Sequence, residues 1–411
     1  MIWDGHCHFK LWSDDEDLLS KLPECTKGLW DILEALNWVN QNIEFFGGDT
    51  SRITIAGESA GAITVGYLSI SPLGAGLFGH MIMESGSPGM FAQETKPLNL
   101  ALTELLAEKV GCADDSHSLM DHRKSVTQCL KMVEAGDLER AEFEILPNAS
   151  QDFLPQYGDE LLPKGPRNAV FNGEFRCKKL LIGHNSQEAS ILLTTSAPEI
   201  FGFYGEKNAH INQTVGVELF EKIVRNRCPD LQGFPAKSPV PNNPLLKDVP
   251  GLKPDIRHSK LDSLLQNAYN SSLPELYTLL GDLIVVCPDS FYAEKCAENG
   301  GDVYSYFFVH RPSPTPWAPW MGVVHFEEVQ FVFGKPMLER DLYLESERTL
   351  SREMIEMWSN FVKTGKPDDA WPLYSREHPV FRYLGNRNSS KKYGLGPHKQ
   401  NCDLIRPVQA L

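Results

Sequence analysis

The sequence predicts an α/β fold with a mostly parallel central sheet, because helix and strand signals alternate along the chain. Strands that are separated by helices in this way usually pair in parallel. The alternation begins near residue 28 and continues in the second half of the chain. The predicted elements are a helix over 28–45, a strand at Arg52–Ala56, a helix over Ala62–Leu68, strands at Met81–Glu84, Lys178–Ile182 and Tyr304–His310, and a helix over Ser351–Lys363.

The first predicted helix is amphipathic, and Phe46-Gly47-Gly48-Asp49 ends it. Its apolar side chains recur at helical spacing, which indicates one buried face. These side chains are Leu29, Ile32, Leu33, Leu36, Val39 and Ile43.

The next strand runs directly into Gly57-Glu58-Ser59-Ala60-Gly61. A serine at so tight a strand-to-helix turn projects its hydroxyl out of the sheet, and side chains at Gly57 and Gly61 would clash there. Free N–H groups at the start of the following helix favour an oxyanion near Ser59. Gly-x-Ser-x-Gly between a strand and a helix is the nucleophile elbow of α/β-hydrolases. The pattern therefore predicts an α/β-hydrolase fold with Ser59 as the nucleophile.

The segments between the later strands are less regular. Residues 97–160 are predicted to be largely helical, and Pro229–Pro254 is predicted to be a long surface excursion. Residues 311–324 carry several prolines and are predicted to form an irregular loop that ends at His325.

A serine nucleophile needs a base, and the base needs a carboxylate that orients it. In α/β-hydrolases the chain order is serine, acid, histidine, with the last two on loops after later strands. Glu188 follows the strand at 178–182, and His325 follows the strand at 304–310. A solvated loop carboxylate and an ordinary histidine among twelve are the alternatives. The order and the position after strands favour a catalytic pair.

Composition limits the possible function classes. The net charge is −15, which argues against a nucleic-acid partner and mildly favours cationic ligands, although solubility alone explains it more simply. Nine cysteines are too few for a disulfide scaffold, and no C-x-x-C pair indicates zinc. The odd count leaves at least one thiol without an internal partner.

The features that bear on location favour a secreted protein. Sequons for N-glycosylation begin at Asn148, Asn212, Asn270 and Asn388. No apolar run reaches transmembrane length, the N-terminus has no signal-peptide core, and the C-terminus has no lipid-anchor tail. We expect an irregular N-terminal segment over 1–27 and one domain over 28–411. Sequons without a signal peptide are typical of a chain that lacks its true beginning.

Residues 28–61 contain four motifs in this order: Gly-Leu-Trp-Asp, Ala-Leu-x-Trp-Val-x-x-Asn-Ile, Phe-Phe-Gly-Gly-Asp and Gly-Glu-Ser-Ala-Gly. In these motifs and in their order, the segment resembles the type-B carboxylesterase and cholinesterase family. The resemblance continues to about residue 406 through Glu84–Ser87, Tyr306–Arg311, Trp317–Gly322, Phe331–Gly334 and Trp358–Gly365.

The resemblance implies a serine ester hydrolase that acts on small-molecule esters without a cofactor or metal ion, is secreted, and can form a homodimer. Ser59 would be the nucleophile, Glu188 the acid and His325 the base. Further implied roles are an oxyanion N–H from Ala60, Glu58 beside the base, Trp317 on the choline-side wall, and the disulfides Cys112–Cys129 and Cys287–Cys402. The second disulfide is more typical of cholinesterases than of general carboxylesterases.

The chain also departs from the family pattern. The family's upstream Gly-Gly-Gly loop, which supplies further oxyanion donors, has no counterpart beyond a faint echo at Trp3-Asp-Gly5, so we expect a fold that lacks its N-terminal strands. Ala189 and Phe326 replace family glycines. Ile191 and Leu192 stand where cholinesterases carry aromatic rings, and ordinary core packing is the favoured explanation of both. Loss of one oxyanion donor typically lowers the rate by about 10²–10³.

The sequence therefore predicts a cholinesterase-like ester hydrolase that works through an acyl-enzyme. Choline esters fit Trp317 and the acidic charge, although the missing aromatic rings weaken that choice. The alternatives are a catalytically impaired fragment and a non-catalytic binding or adhesion protein on the same fold. Labelling of Ser59 by a fluorophosphonate separates catalysis from binding.

Overall fold

The computed structural model describes residues 27–90, 95–145, 153–207, 211–227, 268, 270–385 and 391–409. One six-stranded sheet forms in these residues, and its strands lie side by side in chain order. The first five strands pair in parallel and the last pairs antiparallel. This confirms the predicted α/β class. The strands are β1 (Thr54–Glu58), β2 (His80–Glu84), β3 (Lys179–Asn185), β4 (Asp302–Phe308), β5 (Val380–Leu384) and β6 (Tyr393–Leu395).

Helices connect the strands and flank the sheet. The α-helices are α1 (Lys27–Asn42), α2 (Ala60–Ile70), α3 (Thr95–Lys109), α4 (Arg123–Leu130), α5 (Ala135–Ile145), α6 (Pro166–Phe171), α7 (Ser190–Ser196), α8 (Pro198–Phe201), α9 (Gln213–Arg227), α10 (Leu273–Gly281), α11 (Cys287–Glu298), α12 (Val329–Val332), α13 (Lys335–Leu338), α14 (Glu345–Thr364) and α15 (Lys399–Gln409). Short 3₁₀ turns lie at Ile43–Phe46, Thr50–Arg52, Pro72–Gly74 and Pro319–Met321, and a π-helical turn at Asp282–Val286 joins α10 to α11.

The predicted elements form, with shifted ends. Strand β1 begins at Thr54 rather than Arg52, because a 3₁₀ turn ends at Arg52. Strand β3 extends to Asn185, because Gly183–Asn185 pair with Tyr306–Phe308. Helix α14 begins at Glu345, six residues earlier than predicted, since its first turn is polar and gives no apolar periodicity. The predicted N-terminal segment, apart from Lys27, and the Pro229–Pro254 excursion lie outside the described residues, and the domain boundary stays a prediction.

The sheet is buried on both faces, as a parallel sheet requires. On one face, Met81 and Met83 pack in a core with α1, α2 and α11. On the other face, Ile82 packs in a core with α14. Strands β1–β4 are therefore packed on both faces. Because these strands are parallel, the loops that leave their carboxyl ends lie at one edge of the sheet.

Three disulfides link the described residues. Cys112–Cys129 and Cys287–Cys402 are the two pairs that the family resemblance implied. Cys177–Cys296 is a third, which sequence reasoning missed, and it ties the residues before β3 to the end of α11. The remaining cysteines, Cys7, Cys25 and Cys228, lie outside the described part of the chain.

One described helical run, Leu273–Glu298, is long and apolar enough to cross a membrane by length and composition. Most of it is buried inside the protein, between the sheet and α15, which is the environment of a core helix. By length and composition, this run contradicts the expectation that no apolar run reaches transmembrane length, although its burial is that of a core helix.

Candidate active site

Ser59 occupies a strained turn between β1 and α2. Its φ of 54° and ψ of −119° are unusual for a residue with a side chain, and such strain is typical of functional sites. The backbone holds the turn on both sides, because Ser59 N donates to Glu84 O at 2.8 Å and Ile63 N donates to Ser59 O at 3.0 Å. A Cβ on Gly57 would lie 2.2 Å from the carbonyl carbon of Gly61, which explains the glycine at that position.

A second turn, directly after β2, supports the first. Ser85 also has a positive φ, of 53°, and a Cβ on Gly86 would lie only 2.4 Å from the carbonyl oxygen of Ser59. The Ser85 hydroxyl donates to Glu188 Oε1 at 2.7 Å. Sequence reasoning noted this segment only as a family motif, and the contact gives Ser85 a positioning role for the carboxylate.

Glu188 lies on the loop after β3 and is buried. Its Oε1 also accepts the Asn185 N–H at 2.5 Å, and its Oε2 lies 2.5 Å from His325 Nδ1. Burial alone would raise the pKa of this carboxyl. The positive charge and hydrogen bond of His325, with the donors from Ser85 and Asn185, outweigh burial and lower the pKa below its usual value. Glu188 is therefore ionised at neutral pH and able to orient the imidazole.

His325 contacts two carboxylates rather than one. Its Nδ1 faces Glu188, and its Nε2 lies 3.2 Å from Glu58 Oε1. The structure thus brings Glu58, Glu188 and His325 together. The Ser59 hydroxyl makes no hydrogen bond to any described residue, so the serine–histidine hydrogen bond of the predicted relay is not formed in this arrangement.

The surrounding charges control the protonation of His325. Burial disfavours the imidazolium, but the charges of Glu58, Glu188 and Glu328 outweigh burial and raise the pKa of His325 to about 10. Burial raises the pKa of Glu58 well above its usual value, although His325 opposes this. In this arrangement His325 is therefore protonated at neutral pH. Its Nε2 becomes free to act as a base when its proton passes to Glu58, and the raised pKa of Glu58 favours that transfer.

Two further buried carboxyls, Glu84 and Glu328, extend the acid cluster. Burial and the charge of Glu328 raise the pKa of Glu84 to about 8, even though Trp358 Nε1 donates to Glu84 at 2.5 Å. Burial and the charge of Glu188 raise the pKa of Glu328 to about 7. These side chains hold protons near neutral pH, which reduces the negative charge around His325.

The loops that carry the acid and the base are joined through Gln187. Its N–H donates to Val323 O at 3.0 Å, and its Oε1 accepts the Val323 N–H at 2.8 Å. Gly322 has a φ of 68°, and a Cβ there would lie 2.3 Å from Gln187 Oε1. We call these two Gln187–Val323 hydrogen bonds the Gln187 clamp. The Gln187 clamp fixes the loops of Glu188 and His325 relative to each other, and it could not be found from the sequence.

The remaining predicted site residues lie on the elbow and on the loop after β4. Ala60 opens α2, so its N–H is one of the helix's first four donors, which lack intrahelical acceptors. Trp317 packs with Tyr204 and Phe203, at ring-centroid distances of 5.3 and 6.0 Å. Sequence reasoning missed these two partners because they lie more than a hundred residues away. The echo at Trp3-Asp-Gly5 lies outside the described residues.

Comparisons with known proteins identify the family of this chain. The carboxylesterase family profile matches residues 26–404. Acetylcholinesterase-1 of Trittame loki is 32% identical over 401 residues, which covers 95% of this chain and 67% of the relative. Acetylcholinesterase 1 of Caenorhabditis elegans is 30% identical, covering 91% of this chain and 60% of the relative. Acetylcholinesterase of Bungarus fasciatus is 30% identical, covering 88% and 56%.

The chain spans between 56% and 67% of the length of these relatives. The matched segment includes β1–β5, the elbow and the loops that carry Glu188 and His325. The family profile covers far more than half of the sequence. This chain therefore belongs to the carboxylesterase family.

Proposed function

We propose that this chain hydrolyses carboxylic esters through an acyl-enzyme on Ser59. The observation that carries the proposal is the 2.5 Å contact between His325 Nδ1 and Glu188 Oε2, on loops that follow neighbouring parallel strands. That contact directs the other imidazole nitrogen away from Glu188, as a catalytic base requires. Family membership supports the same chemistry.

The first half of the reaction begins when Nε2 of His325 turns from Glu58 to the Ser59 hydroxyl. Before it turns, the imidazolium passes its Nε2 proton to Glu58, so the imidazole is neutral and can remove the serine proton. The serine oxygen attacks the ester carbonyl, and the N–H of Ala60 donates to the oxyanion. The imidazolium then protonates the leaving alcohol, and the acyl group stays on Ser59.

The second half repeats these steps with water. His325 removes a proton from water, the hydroxide attacks the acyl carbonyl, and Ser59 leaves with the proton from the imidazolium. Glu188 remains ionised throughout and stabilises the imidazolium in each transition state.

The substrate class that we propose is small carboxylic esters, with choline esters as the narrower candidate. The relatives named above are acetylcholinesterases. A cationic substrate also fits the three-ring cluster of Phe203, Tyr204 and Trp317, since aromatic faces attract quaternary ammonium groups. Ile191 and Leu192 supply no such faces.

We also propose a secreted location. Three disulfides are typical of an oxidising compartment. The sequon residues Asn212 and Asn270 are both exposed, as glycosylation requires. The sequons at Asn148 and Asn388 lie outside the described residues.

Turnover by the purified chain tests the proposed function. The chain should hydrolyse 1-naphthyl acetate, Ser59→Ala should abolish this activity, and acetylthiocholine should be cleaved only if the choline assignment holds. Wild-type protein that is folded by circular dichroism yet cleaves neither ester would contradict the proposal and favour a binding role.

A further inference from the structure

A cavity of about 460 Å³ lies beside the loop that carries Glu188. Neither Ser59 nor His325 lines it, whereas Gln187 and Glu188 form part of its wall. Its volume lies within the range of small-molecule sites. The cavity is therefore separate from the proposed nucleophile but adjacent to the Gln187 clamp.

One side of the cavity is aromatic and contains a hydroxyl, that of Tyr277, without a hydrogen-bond partner among the described residues. Tyr277 and Trp320 line it, with ring centroids 6.0 Å apart, and Leu273 and Met321 add apolar surface. The Tyr277 hydroxyl is buried and has no hydrogen-bond partner among the described residues. Burial raises the pKa of Tyr277 to about 12, so the hydroxyl keeps its proton. A buried hydroxyl without a partner is costly unless a ligand or water satisfies it.

The polar side of the cavity carries a histidine that is oriented by a buried carboxylate. His398 Nδ1 lies 2.5 Å from Asp282 Oδ1, and Asn401 Nδ2 donates to Asp282 Oδ2 at 2.6 Å. A carboxylate at Nδ1 favours the tautomer with the proton on that nitrogen, which leaves Nε2 as an acceptor. The described residues provide no donor to Nε2. The cavity thus offers one acceptor and one hydroxyl that have no partner among the described residues.

The charges on the wall favour a neutral ligand. Asp282 and Glu188 already accept hydrogen bonds from side chains, so neither requires a cation. The described residues that line the cavity include no lysine or arginine, which disfavours an anion.

We propose that this cavity binds a neutral aromatic molecule with one hydroxyl, of the phenol class. The ring packs against Trp320 and Tyr277. The ligand hydroxyl donates to His398 Nε2 and accepts from the Tyr277 hydroxyl. A ligand in the cavity also contacts the loop that carries Gln187 and Glu188. Binding in the cavity is therefore next to Glu188, the predicted acid.

Fluorine NMR titration of the full chain with 4-fluorophenol tests the proposal. Saturable binding is expected, and Tyr277→Phe and His398→Asn should each weaken it about fivefold through loss of one hydrogen bond. Asparagine retains an amide donor toward Asp282 and tolerates the positive φ of 55° at His398. Tyr393→Phe, on the edge strand β6, is the matched control and should bind as the wild type does.

A comparison of two ligands on the wild-type protein tests the role of the ligand hydroxyl. 4-Fluoroanisole, which cannot donate a hydrogen bond, should bind more weakly than 4-fluorophenol. Equal binding of the two compounds, unchanged binding by both folded variants, tighter binding of 4-fluorobenzyltrimethylammonium, or loss of phenol binding after Ser59→Ala would each overturn the proposal. Because binding and not turnover is measured, a chain without esterase activity would still give a valid result.

Discussion

Replacing Glu58 by glutamine should lower the pKa of His325 while leaving the site in place. Glu58 Oε1 lies 3.2 Å from His325 Nε2, and its charge is the largest of the influences that raise the pKa of His325 to about 10. Two unit charges at that separation interact by about 5 kcal/mol at an effective dielectric constant of about 20, which corresponds to about four pH units. Because burial keeps Glu58 partly protonated, its charge acts with less than this full strength. Loss of the Glu58 charge should therefore lower the pKa of His325 by about two units or more.

NMR of protein with ¹³C-labelled histidine measures this shift directly. His325→Gln identifies the resonance, and its midpoint is followed as the pH rises in the wild type and in Glu58→Gln. The matched control is Glu84→Gln, because Glu84 is an equally buried carboxyl that does not contact His325. A midpoint that stays near 10 in Glu58→Gln, or that falls equally in Glu84→Gln, would refute the electrostatic reasoning.

Three further predictions follow from the same contacts. The pKa of His325 is raised in the folded state, so its stabilising contribution is complete below its unfolded value of about 6.5 and disappears as the pH rises through about 10. Urea unfolding between these values should therefore show a wild-type free energy of unfolding that falls by up to about 1.4 kcal/mol per pH unit more than that of His325→Gln; equal slopes would contradict this. Ser85→Ala removes a donor from the Glu188 carboxylate and should slow esterase turnover about tenfold, whereas the exposed Ser51→Ala should have no effect; equal turnover of the two variants would exclude a positioning role for Ser85. Cys287→Ser with Cys402→Ser opens a loop of 115 residues and should cost about 5 kcal/mol in the chain-entropy account, against about 3 kcal/mol for the 17-residue Cys112–Cys129 loop; the reverse order in thermal unfolding would contradict the entropic explanation.

Local patterns in the sequence were sufficient to predict the order of elements and the elbow. Gly57 and Gly61 lie within the same five-residue motif, so the clash between them that requires the glycine can be inferred from the motif. The positions of Glu188 and His325 were also predictable, because parallel strands place their following loops at one edge of the sheet.

Contacts between distant residues were not predictable in the same way. The hydroxyl of Ser85 reaches a carboxylate 103 residues away, and Gln187 clamps a loop 136 residues away. Neither contact has a periodic or compositional signal. The same reason explains why Cys177–Cys296, with a separation of 119 residues, was missed.

The protonation of the site depends on burial, which the sequence does not give. Glu58 was expected beside the base, but its distance from Nε2 and the resulting competition with Ser59 depend on the placement of both side chains. The sequence led to the hypothesis that Ser59, His325 and Glu188 are already joined by hydrogen bonds. In the structure His325 contacts Glu188 and Glu58, so the imidazole must turn toward Ser59 before the reaction.

Intact-mass spectrometry after treatment with a fluorophosphonate tests the central claim most directly. We expect one phosphonyl adduct per chain, located on the peptide that contains Ser59 and lost in Ser59→Ala and in His325→Gln. Folded wild-type protein that gains no adduct, or that carries it on another residue, would contradict the claim that Ser59 is a nucleophile activated by His325.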